Sequence, residues 1–292
     1  SALSSCFAES TSSQASIGVF SITPVQDFIA RARKLKDFWS GSLILSWLAF
    51  EGICEIICRF GSDHIIYPSL IGQPMVNRLL YDECGFSAIN LPDAWTNENG
   101  VASFPNKFVF LLPSGKEAEI AGAIQSRIQT AWIDLGHATL NRIERTVGEK
   151  DETLAGIFKR QMEHFWSFHW ASCPLPEANK RDAIARLLPK SVWERPFKWI
   201  DDSKKLPHPS TGEGSLYQAA HALIQTYLSA GKLRKDDARP VEEGIKCPLH
   251  GDMECLHFDH EKAKGDKNPR SEQDPFWHEL RQKYRHETGH TC

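Results

Sequence analysis

The stretch Ser21 to Ser46, SITPVQDFIARARKLKDFWSGSLILS, decides the reading of this chain. It reads as the exit of a strand, a turn at Pro24, an amphipathic helix with a basic outer face, and a Ser-Gly-Ser break before a very apolar helix. From Val25 onward, Phe28, Ile29, Ala32 and Leu35 fall on one helical face, while Arg31, Arg33, Lys34 and Lys36 take the others. Ser40-Gly41-Ser42 is either a helix N-cap or a weak point in one longer helix. Leu43 to Phe60 is apolar on most sides and is expected to be central.

Working outward, Ile17 to Ile22 (IGVFSI) is the strand that feeds this segment. Gly61 closes the apolar helix, and His64 to Tyr67 reads as a second strand ended by Pro68. Residues 69–105 carry Pro, Gly and Asn at intervals and read as long loops. Lys107 to Leu112 is the third strand, with Pro113-Ser114-Gly115 as its turn. Lys116 to Leu135 is then a helix with Ile120, Ala123, Ile124, Ile128 and Ala131 on its buried face. Arg142 to Arg160 is a more polar helix. Glu163 to Ser172 alternates aromatic with polar and small residues, the mark of a half-buried strand, and Pro174 and Pro176 stop it. The sum is an α+β unit of order β-α-β-β-α-(α)-β, a ferredoxin-like or palm-like split βαβ domain with one added helix. Such folds often handle nucleotides.

Residues 177–292 lack a good strand. They hold helices near Ala178 to Leu188, Leu216 to Leu233 and Asp274 to Arg285, with a charged, His-rich tail. The expected organisation is a disordered leader over 1–15, a palm-like domain over 16–176, and a docked, mainly helical subdomain over 177–292, pinned by a metal.

At 292 residues the chain can bury a sizeable core. A net charge of -3 gives no global attraction to nucleic acid, so any RNA contact must come from a local patch. The most apolar stretch, Leu43 to Ile57, is interrupted by Ser46, Glu51 and Glu55, which fits a buried helix better than a membrane span. The first residues have neither the basic start nor the apolar centre of a secretion signal. Eight cysteines are scattered without a secreted-domain pattern. Buried free thiols and a reducing cytoplasm are therefore expected.

Two-metal phosphoryl chemistry needs paired carboxylates about 4 Å apart, one of them at the end of the first strand. Here that end is Phe20-Ser21-Ile22-Thr23, with hydroxyls in place of acids, and no Gly-Gly-Asp-Asp hairpin occurs. The domain reads as a palm without a working metal site. Trp39-Ser40-Gly41-Ser42 offers a phosphate cradle if a helix starts there, through backbone N–H groups, a close-approach glycine and hydroxyls. In the tail, Cys247-Pro-Leu-His250-Gly has knuckle-like spacing, and the chain ends at Gly289-His290-Thr291-Cys292. Cys247, His250 and Cys292 would supply three zinc ligands, with a fourth from His290, Cys255 or beyond. Half of the 12 histidines lie from His250 onward. Two basic runs, Arg31-Arg33-Lys34-Lys36 and Lys232-Arg234-Lys235-Arg239, could meet phosphates or simply be solvated faces. Tyr217, Tyr227, Trp193 and Trp199 are expected in the core.

With those motifs in view, the chain resembles the large subunits of type III-B (Cmr) CRISPR effector complexes, cyclase- and polymerase-like proteins. The resemblance is strongest in Pro24-Val25-Gln26, Phe28-Ile29, Ala32-Arg33, Asp37-Phe38-Trp39, Gly41-Ser42 and Leu45-Ser46. It continues through Phe168-His169-Trp170-Ala171, then Leu216-Tyr217 to Lys235, Lys246-Cys247, Phe276-Trp277 with Leu280, and the closing Cys292. The resemblance implies a first, non-catalytic palm followed by the start of a zinc-bearing helical domain. In the complete protein a second palm with Gly-Gly-Asp-Asp follows, and ATP binds between the two palms and is made into cyclic oligoadenylate when a guide RNA finds its target. By that similarity Asp37, Trp39, Ser40, Gly41, Ser42 and Ser46 face the nucleotide. The same similarity implies structural zinc held by Cys247, His250 and Cys292. The implied partners are the other Cmr subunits, with CRISPR RNA and target RNA contacted indirectly. The family's N-terminal HD nuclease domain is absent from this sequence, its first knuckle is usually C-x-x-C where His250 stands here, and its second would begin at Cys292. A chain cut short or a split subunit is therefore expected, inactive in ATP turnover alone. The rival reading is an RNA- or protein-binding scaffold module that never touches nucleotide.

Overall fold

A computed structural model of the protein describes residues 14–30, 32, 34–82, 103–175, 181–187, 189–207, 217–233, 242–247, 251–259 and 274–288. Its centre is strand β1 (Ala15–Thr23), antiparallel to β3 (Lys107–Pro113) on one side and to β4 (Ser167–Pro174) on the other. A short strand, β2 (Ile65–Tyr67), adds outside β3, so the sheet runs β2-β3-β1-β4 with every neighbour antiparallel. The register sets Ser21 opposite Lys107 and His169, and Thr23 opposite Ser167.

Alternation along β1 sends Phe20 and Ile22 to one sheet face and Ile17 and Val19 to the other. The first face is covered by α2 (Leu35–Phe60) and α4 (Glu117–Val147), which contribute Leu48, Ile53, Ile120 and Ile124 to the larger core. The second is covered by α8 (Tyr217–Leu233), whose Ala220, Ile224 and Leu228 pack on Ile17, Val19 and Val109. A strand covered on both faces needs no polar alternation, which is why IGVFSI is almost continuously apolar. Each wholly buried Leu or Ile contributes roughly 1.5–3 kcal/mol over an exposed one. The expected boundary at 176/177 does not divide the hydrophobic interior, because α8 supplies three of the seven buried residues of the core on that second face.

Helix α2 is long and apolar enough to cross a membrane, with a mean hydropathy of 1.6 over its most apolar window. Instead it lies against the sheet: a Cβ on Gly52 would sit 2.8 Å from Ile128 Cδ1 and 3.0 Å from Phe108 Cζ. Its acids face a neighbour, with Glu51 accepting from Arg127 Nε at 3.0 Å and Glu55 3.9 Å from Arg127 Nη1.

Several expectations change. The helix after Pro24 is a single turn, α1 (Gln26–Ile29), and a separate helix begins at Leu35, whose side chain is 84% exposed. The expected apolar stripe therefore reaches only its first members, of which Phe28 inserts among Trp132, Phe165 and Trp166. Residues 69–105 are not all loop, since α3 (Pro74–Asp82) buries Val76 and Leu79 one helical turn apart. Helix α4 continues to Val147 and ends where Gly148, at φ 77°, donates its N–H to the Glu144 carbonyl. Asp151 then caps a new helix, α5 (Glu152–Glu163), so the polar helix expected over 142–160 is two. That extension takes Glu163 out of the fourth strand, and Phe165 and Trp166 join the aromatic cluster instead of alternating in a sheet.

In the C-terminal region, α6 (Arg181–Leu187) is followed by α7 (Lys190–Ser203), which was not expected and buries Phe197 and Ile200. Trp199 and Tyr227 are exposed rather than core. Helix α9 (Pro275–Thr288) drives Phe276 into a cluster with Val147, Leu154 and Phe258. Of the expected leader, residues 1–13 lie outside the described residues, while Gln14 already bonds the Leu175 carbonyl and Ala15 opens β1.

Candidate functional site

The exit of β1 is where a catalytic palm would carry acid. Here Ser21 is buried and its Oγ accepts from Lys232 Nζ of α8 at 2.7 Å. Thr23 Oγ1 donates to the Ser167 carbonyl and lies 3.1 Å from His169 Nε2. The neighbouring Lys107 donates to Gln225 Oε1 at 2.9 Å. Among the described residues these contacts bring hydroxyls, imidazole, amide and ammonium groups together at this end, and no carboxylate takes part in them. That chemistry does not hold a divalent cation.

On the opposite face, α2 begins at the same end of the sheet. Its N-cap, Lys34, makes no side-chain cap, and the first helical bonds run from Asp37 and Phe38 N–H to the Lys34 carbonyl at 3.0 and 3.1 Å. The helix then runs unbroken through Ser40-Gly41-Ser42. Ser40 Oγ donates to the Lys36 carbonyl at 2.8 Å and Ser42 Oγ to the Phe38 carbonyl at 3.0 Å. Of the two alternatives, then, the segment lies inside one longer helix, and the backbone N–H groups there are committed to it. They cannot cradle a phosphate as a helix start would. Gly41 lies toward α1, where an added Cβ would sit 3.7 Å from Phe28 Cε1. Asp37 is exposed, and with Leu35, Phe38 and Trp39 it makes the first turns of α2 a surface of mixed character, Phe38 and Trp39 each 49% exposed.

Ser46 stands apart from the other candidates. It is buried, and its Oγ accepts the N–H groups of Ser103 and Phe104 at 3.0 and 2.8 Å. That pins the approach to β3 onto α2. The hydroxyl serves the fold, three turns of helix away from the exposed end.

In the tail, Cys247 sits in a tight reversal. Its N–H donates to the Met253 carbonyl, and its own carbonyl accepts from Gly251, at φ 72°, with both bonds at 2.8 Å. Lys246 and Glu254 form an antiparallel bridge, and Cys255 N–H donates to the Ile245 carbonyl. His250 and Cys292 lie outside the described residues, and among the described residues no group of three His, Cys, Asp or Glu side chains is placed to hold a metal. The reversal is tied to α5 by Arg160, whose Nη2 is 2.8 Å from Glu242 and 2.6 Å from Glu254.

Of the basic runs, Lys34 and Lys36 are exposed, while Arg31, Arg33, Arg234, Lys235 and Arg239 lie outside the described residues. Lys232 turns inward. Its spacing gave the signal, since 220, 224, 228 and 232 form one helical stripe and the first three are apolar.

Residues 17–137, from β1 into α4, match the family model described as CRISPR-associated protein Cmr2, N-terminal. Over 261 residues, 83% of this chain, the sequence is 33% identical to the CRISPR system Cmr subunit Cmr2 of Pyrococcus furiosus. The chain spans 28% of that protein's length.

Proposed function

The chain belongs to the Cmr2 family through its N-terminal region, and from that premise we propose that it is the front part of the large subunit of an RNA-guided type III-B CRISPR effector. In this reading the four-stranded sheet is a ferredoxin-like palm that has no catalytic carboxylates of its own. Its strand order, with α2 and α4 crossing one face, supports that assignment. A second palm elsewhere in the complete protein carries the chemistry, and ATP binds between the two, to be joined into cyclic oligoadenylate when target RNA is bound. The other Cmr subunits are the direct partners and the RNAs are met through them.

The observation that carries the reading is the contrast at one end of the sheet. The β1 exit offers Ser21 and Thr23 where a metal site needs acids, and beside it the first turns of α2 expose Leu35, Phe38 and Trp39. Asp37, Trp39, Ser40 and Ser42 are the residues of this chain that would meet a nucleotide there. The two serine hydroxyls donate within the helix and retain lone pairs, so they can accept from a ribose hydroxyl. Zinc, where bound, would be held by Cys247, His250 and Cys292 as a structural ion fixing the tail.

The test uses the complete protein with its partner subunits. Ser42→Trp should abolish ATP-dependent oligoadenylate synthesis while assembly is kept. Lost assembly with normal activity per complex would replace this reading with the scaffold module, for which Leu35, Phe38 and Trp39 would be the docking surface. The 292-residue chain alone should release no pyrophosphate from ATP with Mg²⁺ or Mn²⁺.

A further inference from the structure

The sheet face under α8 changes character toward the β1 exit. Ile17, Val19 and Val109 are apolar, and the next row is Lys107, Ser21 and His169, side by side on β3, β1 and β4. Helix α8 closes over this row, and its inward stripe ends in Lys232, one i+4 step beyond Leu228. Lys232 Nζ donates to Ser21 Oγ at 2.7 Å, on a serine with no exposed surface. Lys107 Nζ donates to Gln225 Oε1 at 2.9 Å, and Gln225 Nε2 lies 3.5 Å from His221 Nε2. Among the described residues neither lysine has a carboxylate partner.

Two partly desolvated ammonium groups without a counter-charge are a destabilising arrangement. Burial first, and then the charge of Lys107, hold the Lys232 ammonium below its usual range. The same two causes in the same order lower the His221 imidazole. All three groups would gain from an arriving anion. Each ammonium is a compact charge with several donors, which suits an anion with several oxygens. Ser21 Oγ, while accepting from Lys232, keeps a hydrogen to give. Ser21 is wholly buried under α8, whereas Lys107 and Lys232 are only half-buried, so an anion reaches the ammonium groups at the edge of the row.

We propose that this end of the sheet, between β1, β3 and α8, binds a phosphate group of a small molecule, with Lys107 and Lys232 as its ligands. The site lies on the face opposite α2 and does not rest on the nucleotide surface proposed above.

The experiment is thermal denaturation of the full chain in chloride, and with orthophosphate, pyrophosphate or ATP at matched ionic strength. Pyrophosphate at about 100 times its half-saturating concentration should raise the Tm by on the order of 5 °C. Lys232→Met and Lys107→Met should keep the Tm in chloride, since each removes an uncompensated cation, and should raise the half-saturating concentration at least about tenfold. Lys36→Gln, on exposed α2, should leave the shift intact. ATP acting at lower concentration than pyrophosphate would assign the phosphate to a nucleotide, and the reverse order would assign it to free phosphates. Absence of a shift with all three compounds would overturn the proposal. So would a shift of equal size and midpoint in wild type and both lysine variants, because the ion would then be held elsewhere.

Discussion

Arg160 in α5 holds Glu254 at 2.6 Å across 94 residues of chain, and the same Nη2 lies 2.8 Å from Glu242. Gln161 adds a bond from its side-chain amide to the Glu254 carbonyl at 2.9 Å. Both glutamates are largely buried while Arg160 is nearly half exposed, so one solvated guanidinium is shared between two desolvated acids. The Cys247 reversal owes its position beside α5 to these contacts. Arg160→Met removes the cation and keeps most of the side-chain volume. The expected cost is about 1–3 kcal/mol, toward the lower end because the arginine is solvated. Hydrogen exchange should show residues 242–247 and 251–259 losing protection before the sheet does. Unchanged exchange there would mean that Gln161, Asp151 and the packing of Phe258 on Phe276 hold the tail without Arg160.

The same contact gives a pH dependence. Burial pushes the Glu242 carboxyl upward, but the hydrogen bonds from Arg160 and Gln161 and the charge of Arg160 outweigh it and set it below its ordinary 4.5. A group depressed in the folded state stabilises fully above its unfolded value and loses that contribution as pH falls through its folded value. The tail should therefore stay docked at neutral pH and loosen only as the pH drops below about 4.5. In Arg160→Met the loosening should move to higher pH, read as an upward shift of the midpoint in an acid titration of exchange rates over 251–259.

Ser46 tests how far the sequence reading of the candidate site holds. Ser46→Ala leaves the Ser103 and Phe104 N–H groups without their shared acceptor in a buried place, a loss of about 1–3 kcal/mol. The Tm of the chain should fall accordingly. Ser40→Ala and Ser42→Ala, whose hydroxyls only bond back within the helix, should stay within about 0.5 kcal/mol of wild type. Equal effects at all three positions would remove the distinction drawn between fold and surface.

What was legible followed from periodicity. The β1 run, the apolar body of α2, the 120-124-128 stripe of α4 and the strand at 107 are patterns that one chain segment carries by itself, and all are present. What failed depended on partners distant in sequence. Leu35 continues the stripe of Phe28 on a helical wheel, but the helix that would carry the stripe ends at Ile29. Phe165 and Trp166 alternate like strand residues and are instead claimed by Phe28 and Trp132. The Ser-Gly-Ser segment leaves two readings open in the sequence, because serine and glycine favour caps, yet serine also bonds the carbonyl four residues back and rides inside a helix. Charge alone groups Lys232 with a surface run, although its helical stripe points inward.

Asp151 joins α5 to the tail through the two oxygens of one side chain. Its Oδ1 accepts the Leu154 N–H at 2.9 Å and caps α5, and its Oδ2 accepts the Asp259 N–H at 3.0 Å. Asp151→Ala removes both contacts and should cost about 1–2 kcal/mol through the cap alone. Asp151→Asn separates them. Its carbonyl can still cap Leu154, since asparagine is as good an N-cap, but its amide nitrogen has no lone pair to offer Asp259. Asn should therefore keep the stability of α5 and release the tail, seen as faster exchange at residues 255–259 with protection over 152–163 unchanged. If Asn and Ala prove equally damaging to α5, the cap and the tail contact form one cooperative unit, and the tail cannot detach without melting the end of the helix it rests on.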